Sequence, residues 1–171
     1  MNKAIFLDRD GTINIDYGYV HEIDKLIFID SAIDGMKLLT DLGYLLIIIT
    51  NQSGIGRGYF DYQEYNKFND FMLKELKKNN IHISKVYMCP HIDSDNCNCR
   101  KPKLELFYKA IKEFDIDIEK SYAIGDKTRD LAICDKENIT GILLTEDNNN
   151  NNYICKKNLL EAAKYIKRLN K

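Results

Sequence analysis

The sequence predicts an α/β fold, a Rossmann-like parallel sheet with helices on both faces, on three observations. Short apolar runs rich in β-branched residues recur along the chain. Segments of helical period separate them, and that alternation favours a parallel sheet covered on both sides. Three of the runs end in polar residues, Asp8, Thr50 and Asp126. In open α/β sheets ligands bind beyond the carboxyl ends of the strands, so fold and chemistry point to one place.

The elements follow in order. Residues 3–7 form a short apolar strand ending at Asp8. Residues 31–42 carry Ile33, Met36, Leu39 and Leu42 at helical spacing, with Ser31 as the expected N-cap. Residues 45–49 are a second strand closed by Thr50 and Asn51. Residues 61–79 are a helix capped by Asp61, with an apolar stripe of Tyr65, Phe68, Phe71, Met72 and Leu76. Residues 85–88 form a strand that leads into a Cys/His segment. Helices are expected at 104–114, 128–137 and 158–169, and strands at 121–124 and 141–145. The run 147–152 (DNNNNN) reads as a solvated loop.

A chain of 171 residues fits one domain, 1–171, large enough for a core without disulfides. Lys and Arg number 25 against 26 Asp and Glu, a formal net charge of -1. No global basic field exists to hold nucleic acid or an anionic membrane. No apolar run approaches the ~20 residues that span a bilayer, and the N-terminus lacks a signal-peptide pattern. The expectation is a cytoplasmic monomer acting on a small molecule.

Four short motifs carry chemistry. Asp8-Arg9-Asp10-Gly11-Thr12 places two carboxylates after a strand, one suited to nucleophilic attack and one to proton transfer. Thr50-Asn51-Gln52-Ser53-Gly54 offers a hydroxyl and amides to a phosphate oxygen. Arg100-Lys101-Pro102 sets two cations before a helix. Gly125-Asp126-Lys127-Thr128-Arg129-Asp130 places an acid where Mg²⁺ could bind. Alone, each also reads as a polar turn.

Residues 89–99 hold Cys89, His91, Cys97 and Cys99, a Cys₃His set suited to a closed tetrahedral Zn²⁺ site of structural kind. The single-residue spacers are tighter than in finger-type motifs. Cys134 and Cys155 read as packing residues, and His82 as a surface residue. His21 and Glu22 take no assigned role.

Together the four motifs, in this order and strand context, resemble the haloacid-dehalogenase-like phosphohydrolase superfamily from Lys3 to about Thr145. Cys-Pro-His followed by Cys-x-Cys-Arg-Lys-Pro is similar to its branch of heptose 1,7-bisphosphate and histidinol-phosphate phosphatases. Residues 8–24 (DRDGTINIDYGYVHEID) and 50–60 (TNQSGIGRGYF) resemble the heptose enzymes. Lys103-Leu104-Glu105 departs from their usual Pro-Gly and keeps the histidinol reading as the alternative. A non-catalytic, zinc-stabilised binding module is the remote one.

The resemblance implies a phosphatase that releases the C7 phosphate of a sugar bisphosphate in ADP- or GDP-heptose biosynthesis. It implies Asp8 as nucleophile and Asp10 as acid and base. Thr50 and Lys101 would hold the transferring phosphoryl group, with Lys103 a competing candidate. Mg²⁺ would sit on Asp8, Asp126 and the Asp10 main-chain carbonyl. Asp16, Tyr17, Gly18 and Tyr19 would face the sugar. Asn51, Gln52, Ser53 and Lys127 would bind substrate, and Arg100 would read its second phosphate. Asp130 would orient Lys127 or Lys101. No large cap domain fits between residues 10 and 51, so the zinc loop is expected to wall the pocket.

Overall fold

The computed structural model describes residues 1–147 and 152–170. Its six-stranded sheet consists of β1 (Ala4–Leu7), β2 (Leu45–Asn51), β3 (Ile83–Cys89), β4 (Tyr122–Gly125), β5 (Thr140–Leu144) and β6 (Ile154–Lys156). The strand order is β3-β2-β1-β4-β5-β6, and every pair is parallel. Among the described residues four α-helices complete it: α1 (Ala32–Asp41), α2 (Tyr62–Lys78), α3 (Glu105–Phe114) and α4 (Leu159–Leu169). The α/β expectation is met.

Strand alternation sorts the core into two layers, because successive side chains leave opposite faces. Ile5 and Leu7 join Leu46, Ile48, Ile124 and Ile142 beneath α1, α2 and α4. Ala4 and Phe6 join Ile47, Ile49 and Ala123 on the other face, beneath α3. Phe6 meets Phe107 edge to face at 5.5 Å. Gly35 lets α1 and α4 approach closely, since a Cβ there would lie 2.8 Å from the Leu159 backbone.

Several boundaries differ from the sequence reading. The strand β6 was not anticipated: it is three residues long and follows the asparagine run, too short for a periodic signal. Residues 128–135 form a 3₁₀ helix rather than an α-helix. Asp61 caps α2, accepting from the Glu64 backbone while Glu64 reciprocates. Ser31 does not cap α1. Its φ of 66° takes it out of the extended conformation a capping side chain needs, and its hydroxyl makes no cap bond. Residues 148–151 of the expected loop lie outside the described residues.

The topology places the sites. The carboxyl ends of β1, β2 and β4 lie side by side, because β1 pairs with both others. Asp8, Thr50 and Asp126 therefore emerge along one edge. The return from β3 carries the Cys/His segment to the same edge, since Asn51 on β2 pairs with Cys89 on β3.

Candidate active site

A cavity of about 330 Å³ opens at that edge, lined by residues of all four motifs. At its floor Lys101 is buried with its ammonium between two carboxylates. Its Nζ lies 2.8 Å from Asp8 Oδ1 and 2.7 Å from Asp130 Oδ1, and donates to the Ile49 carbonyl at 2.6 Å. All three ammonium protons thus have partners. Burial disfavours the charged lysine, but the two acids overcome it and raise its pKa. Burial also raises the Asp8 carboxyl, with Lys101 opposing. Lys103 is exposed and donates to the Cys97 carbonyl, so Lys101 is the lysine at the acids. Asp130 orients Lys101 by its side chain, and Lys127 only through the Lys127 backbone amide.

Asp126 completes a group of three acids with Asp8 and Asp130, their ligand oxygens within 4.8 Å of one another. Its Oδ1 is buried and lacks a hydrogen-bond partner. Burial first, and Asp8 next, push its carboxyl up to about 6. Gly11 leaves the room for this approach. Its φ is +86°, and a Cβ there would stand 2.4 Å from Asp126 Oδ2. Clustered carboxylates with an orphaned oxygen fit a hard divalent cation such as Mg²⁺, which takes few protein ligands. Asp8, Asp126 and Asp130 bring their carboxylate oxygens close enough together that they could hold one.

Asp10 is held from three sides. The Arg9 guanidinium, fully buried, donates from Nε and Nη2 to its carboxylate at 3.0–3.1 Å. Asn14 Nδ2 donates to Asp10 Oδ1 at 2.9 Å and Gln52 Nε2 to Oδ2 at 2.8 Å. Arg9 also donates to the Val20 carbonyl and stacks on Phe68, 4.7 Å from the ring centre. A charge this buried is retained only with such partners.

The expected substrate residues divide. Ser53, Asp16, Gly18, Tyr19, Arg100 and Lys127 line the cavity. Asn51 and Gln52 also line it, but their amides serve the protein. Asn51 donates to the Lys101 carbonyl and accepts from the Lys101 amide, fixing that backbone at 3.1 and 3.0 Å. Gln52 joins Asp10, Arg9 and Thr50. Thr50 is buried behind Gln52 and does not line the cavity. Tyr17 turns outward to a neighbouring hollow with His21 and Glu22. Asp16 accepts from the Gly18 amide, and Tyr19 follows with a strained φ of 52°, lining both the cavity and the neighbouring hollow while its ring meets Tyr59 edge to face at 4.8 Å. Sequence reasoning missed Arg9, Arg57 and Arg129. All three lie inside segments already quoted, but nothing in a linear motif shows which arginine is buried and which faces a cavity.

Beside the floor stands the Cys/His group. Cys89, His91, Cys97 and Cys99 place their ligand atoms within 4.8 Å of one another. Cys89 and Cys97 sulfurs lie 3.7 Å apart, and Cys97 and Cys99 sulfurs 3.5 Å. A tetrahedral thiolate site with Zn–S of about 2.3 Å has edges near 3.8 Å. The 2.9 Å between Cys89 and Cys99 is shorter. Burial opposes ionisation of Cys97, yet the Arg100 backbone amide and the neighbouring thiols bring its pKa down to about 7. The donor set suits Zn²⁺. Immediately after it, Arg100 donates from Nε to Asp93 Oδ1 at 2.6 Å.

The chain is similar to known phosphatases. The polynucleotide kinase 3 phosphatase family model matches residues 3–157. A D-glycero-beta-D-manno-heptose-1,7-bisphosphate 7-phosphatase of Pasteurella multocida is 41% identical over 99% of each chain. A D-glycero-alpha-D-manno-heptose-1,7-bisphosphate 7-phosphatase of Campylobacter jejuni is 42% identical over 96% of each. The crystal structure of a D,D-heptose 1,7-bisphosphate phosphatase of B. bronchiseptica, complexed with magnesium and phosphate, superimposes with a TM-score of 0.87 at 27% identity. It covers 98% of this chain and 99% of that one.

Proposed function

The chain belongs to the polynucleotide kinase 3 phosphatase family and to the heptose-1,7-bisphosphate 7-phosphatases within the haloacid-dehalogenase-like fold, and from that premise we propose how it works as a phosphatase. The substrate is D-glycero-D-manno-heptose 1,7-bisphosphate and the reaction is Mg²⁺-dependent hydrolysis at C7. The observation that carries this reading is the Asp8–Lys101–Asp130 chain beside the orphaned oxygen of Asp126.

An Asp8 carboxylate oxygen attacks the C7 phosphorus. The bond from phosphorus to the sugar oxygen breaks, and Asp10 gives that oxygen its proton. The product is heptose 1-phosphate and an aspartyl-phosphate on Asp8. Asp10, now a carboxylate, takes a proton from water, which attacks phosphorus and releases phosphate from Asp8. Lys101 offsets the negative charge spread over the phosphoryl oxygens, and the buried Thr50 hydroxyl accepts from Gln52, whose amide also holds Asp10. Asp8, Asp126 and the Asp10 main-chain carbonyl would hold Mg²⁺, which would supply the charge neutralisation that lets a carboxylate meet a phosphate dianion.

The remaining contacts serve geometry. Arg9, Asn14 and Gln52 fix the proton-transfer carboxylate, and Asn51 fixes Lys101. Ser53, Asp16, Gly18, Tyr19 and Lys127 line the way to the sugar, and Arg100 takes the second phosphate. Cys89, His91, Cys97 and Cys99 would hold Zn²⁺, which would take no step in the chemistry and would fix the backbone that presents Arg100 and Lys101. The product feeds ADP- or GDP-heptose biosynthesis.

Phosphate release from the α- and β-heptose bisphosphates and from histidinol phosphate tests the reading. The expected result is rapid C7 release from one or both bisphosphates. Preferential hydrolysis of histidinol phosphate would overturn it.

A further inference from the structure

Four acids and five bases line the cavity, and their pairing is uneven. Among the described residues Lys101 pairs with Asp8 and Asp130, and Asp10 with Arg9. Lys127 faces Asp16 at 3.5 Å and Asp126 at 3.9 Å. Arg57 and Arg129 enter no ion pair there, although both line the cavity. Arg57 lies over the Tyr19 ring at 5.9 Å. The floor holds more acid than base, since Lys101 alone faces two carboxylates. The excess positive charge lies with Arg57, Arg100 and Arg129.

One carboxylate answers that excess from outside the cavity floor. Asp93, on the 3₁₀ turn Asp93–Asp95 of the zinc loop, accepts from Arg100 Nε at 2.6 Å. Arg57 and Arg129 line the same cavity as Arg100. Arg57 is brought near by the turn after β2, whose Gly56 amide donates to the Pro90 carbonyl of the loop at 3.0 Å. Asp93 is 80% exposed while Arg100 is 14% exposed. Arg100 has a second contact on the loop, from Nη1 to the His91 carbonyl at 3.4 Å, and lies in the chain between Cys99 and Lys101. Its placement thus has supports besides Asp93.

We infer that Asp93 is a resident counter-anion in an anion subsite made by Arg57, Arg100 and Arg129, one that the second phosphate of the substrate displaces. This rests on the bisphosphatase reading above. An exposed carboxylate with a single side-chain partner yields at small cost. A phosphate dianion carries more charge and more acceptor oxygens, so it takes the guanidinium forks in its place. Asp93 then sets how strongly a bisphosphate is preferred over a monophosphate, without touching the reacting atoms.

The test compares heptose 1,7-bisphosphate with heptose 7-phosphate in the wild type, Asp93→Asn and Arg129→Gln, with Mg²⁺ at fixed ionic strength. Asp93→Asn should lower KM for the bisphosphate by roughly two- to five-fold, with a much smaller change for the monophosphate. Arg129→Gln should raise KM for the bisphosphate selectively. Asp93→Ala, matched to wild type in zinc content and melting temperature, guards against a loosened loop and should follow Asp93→Asn. A higher bisphosphate KM in both Asp93 variants would overturn the inference and make Asp93 a support for Arg100. Equal changes on both substrates would also overturn it, and an unchanged Arg129→Gln would remove that arginine from the subsite. Failure of the bisphosphatase reading has a separate signature: wild-type enzyme that does not turn over the bisphosphate at all.

Discussion

The floor of the cavity and its rim solve opposite problems with the same residue types. At the floor Lys101, Asp8 and Asp130 are buried, and each charge has a partner fixed by backbone. At the rim Arg100 and Asp93 make one contact, and Arg57 and Arg129 make no ion pair among the described residues. Buried, fully partnered charges cannot move without leaving another charge stranded, and such rigidity suits a transition state. Rim charges exchange partners cheaply, and that suits recognition of a substrate that must leave.

Five substitutions or perturbations press on this contrast, in decreasing order of effect. Asp8→Asn should abolish turnover, by at least about 10³-fold, because an amide cannot form the acyl-phosphate. The fold should survive, since Lys101 keeps Asp130. Purified variant with near-normal turnover would break the floor's assignment. Lys101→Ala should also remove activity, and in addition cost about 3–5 kcal/mol in a denaturant titration, because two buried carboxylates lose their cation. A loss below about 1 kcal/mol would show that the floor relaxes as a rim does.

Arg100→Ala should cost kcat/KM for the bisphosphate roughly 10–100-fold, the value of a charge-assisted contact. A monophosphate should lose far less. Equal losses would move Arg100 from rim to floor. Stripping zinc should couple the two regions. Metal analysis of protein purified without chelators should find about one zinc per chain. Its removal should increase hydrogen exchange in residues 89–101 and lower activity that added Mg²⁺ does not restore.

The smallest effect is one of pH. In the metal-free protein the Asp126 carboxyl titrates at about 6, above its unfolded value. Asp8 is shifted the same way. The folded state then holds these protons more tightly than the unfolded chain. That stabilisation is full below the unfolded pKa and is lost as pH rises through about 6. Mg²⁺ competes with the same protons. It should therefore raise Tm more at pH 7 than at pH 5, and a shift of equal size at both would remove the carboxylates from the metal site.

Much of this was legible before any coordinates. The alternation of Ile5 and Leu7 with Ala4 and Phe6 follows from strand geometry, and strand ends at Asp8, Thr50 and Asp126 followed from apolar runs stopping at polar residues. The Cys₃His set was visible from four ligand types in eleven residues. Three things were not. The strand β6 has no periodicity to read. Ser31 has the right chemistry for a cap, but its backbone is left-handed, and sequence does not report φ. Asn51 and Gln52 look like ligands for phosphate, yet their amides bind Lys101 and Asp10, because residues 50 and 42 positions apart meet only through the sheet. The same holds for Arg9, whose guanidinium is hidden beneath Val20 and Phe68.

The central claim is that Asp8 carries the phosphoryl group. Rapid quench of Asp10→Asn with Mg²⁺ and an aryl phosphate, whose leaving group needs no proton, tests it most directly. Attack can proceed there while the water step is slowed, so the intermediate should accumulate. Mass spectrometry of the quenched protein should show a gain of about 80 Da, labile to hydroxylamine, on the peptide containing Asp8. Phosphate release without any covalent adduct, or an adduct on another residue, would contradict the account.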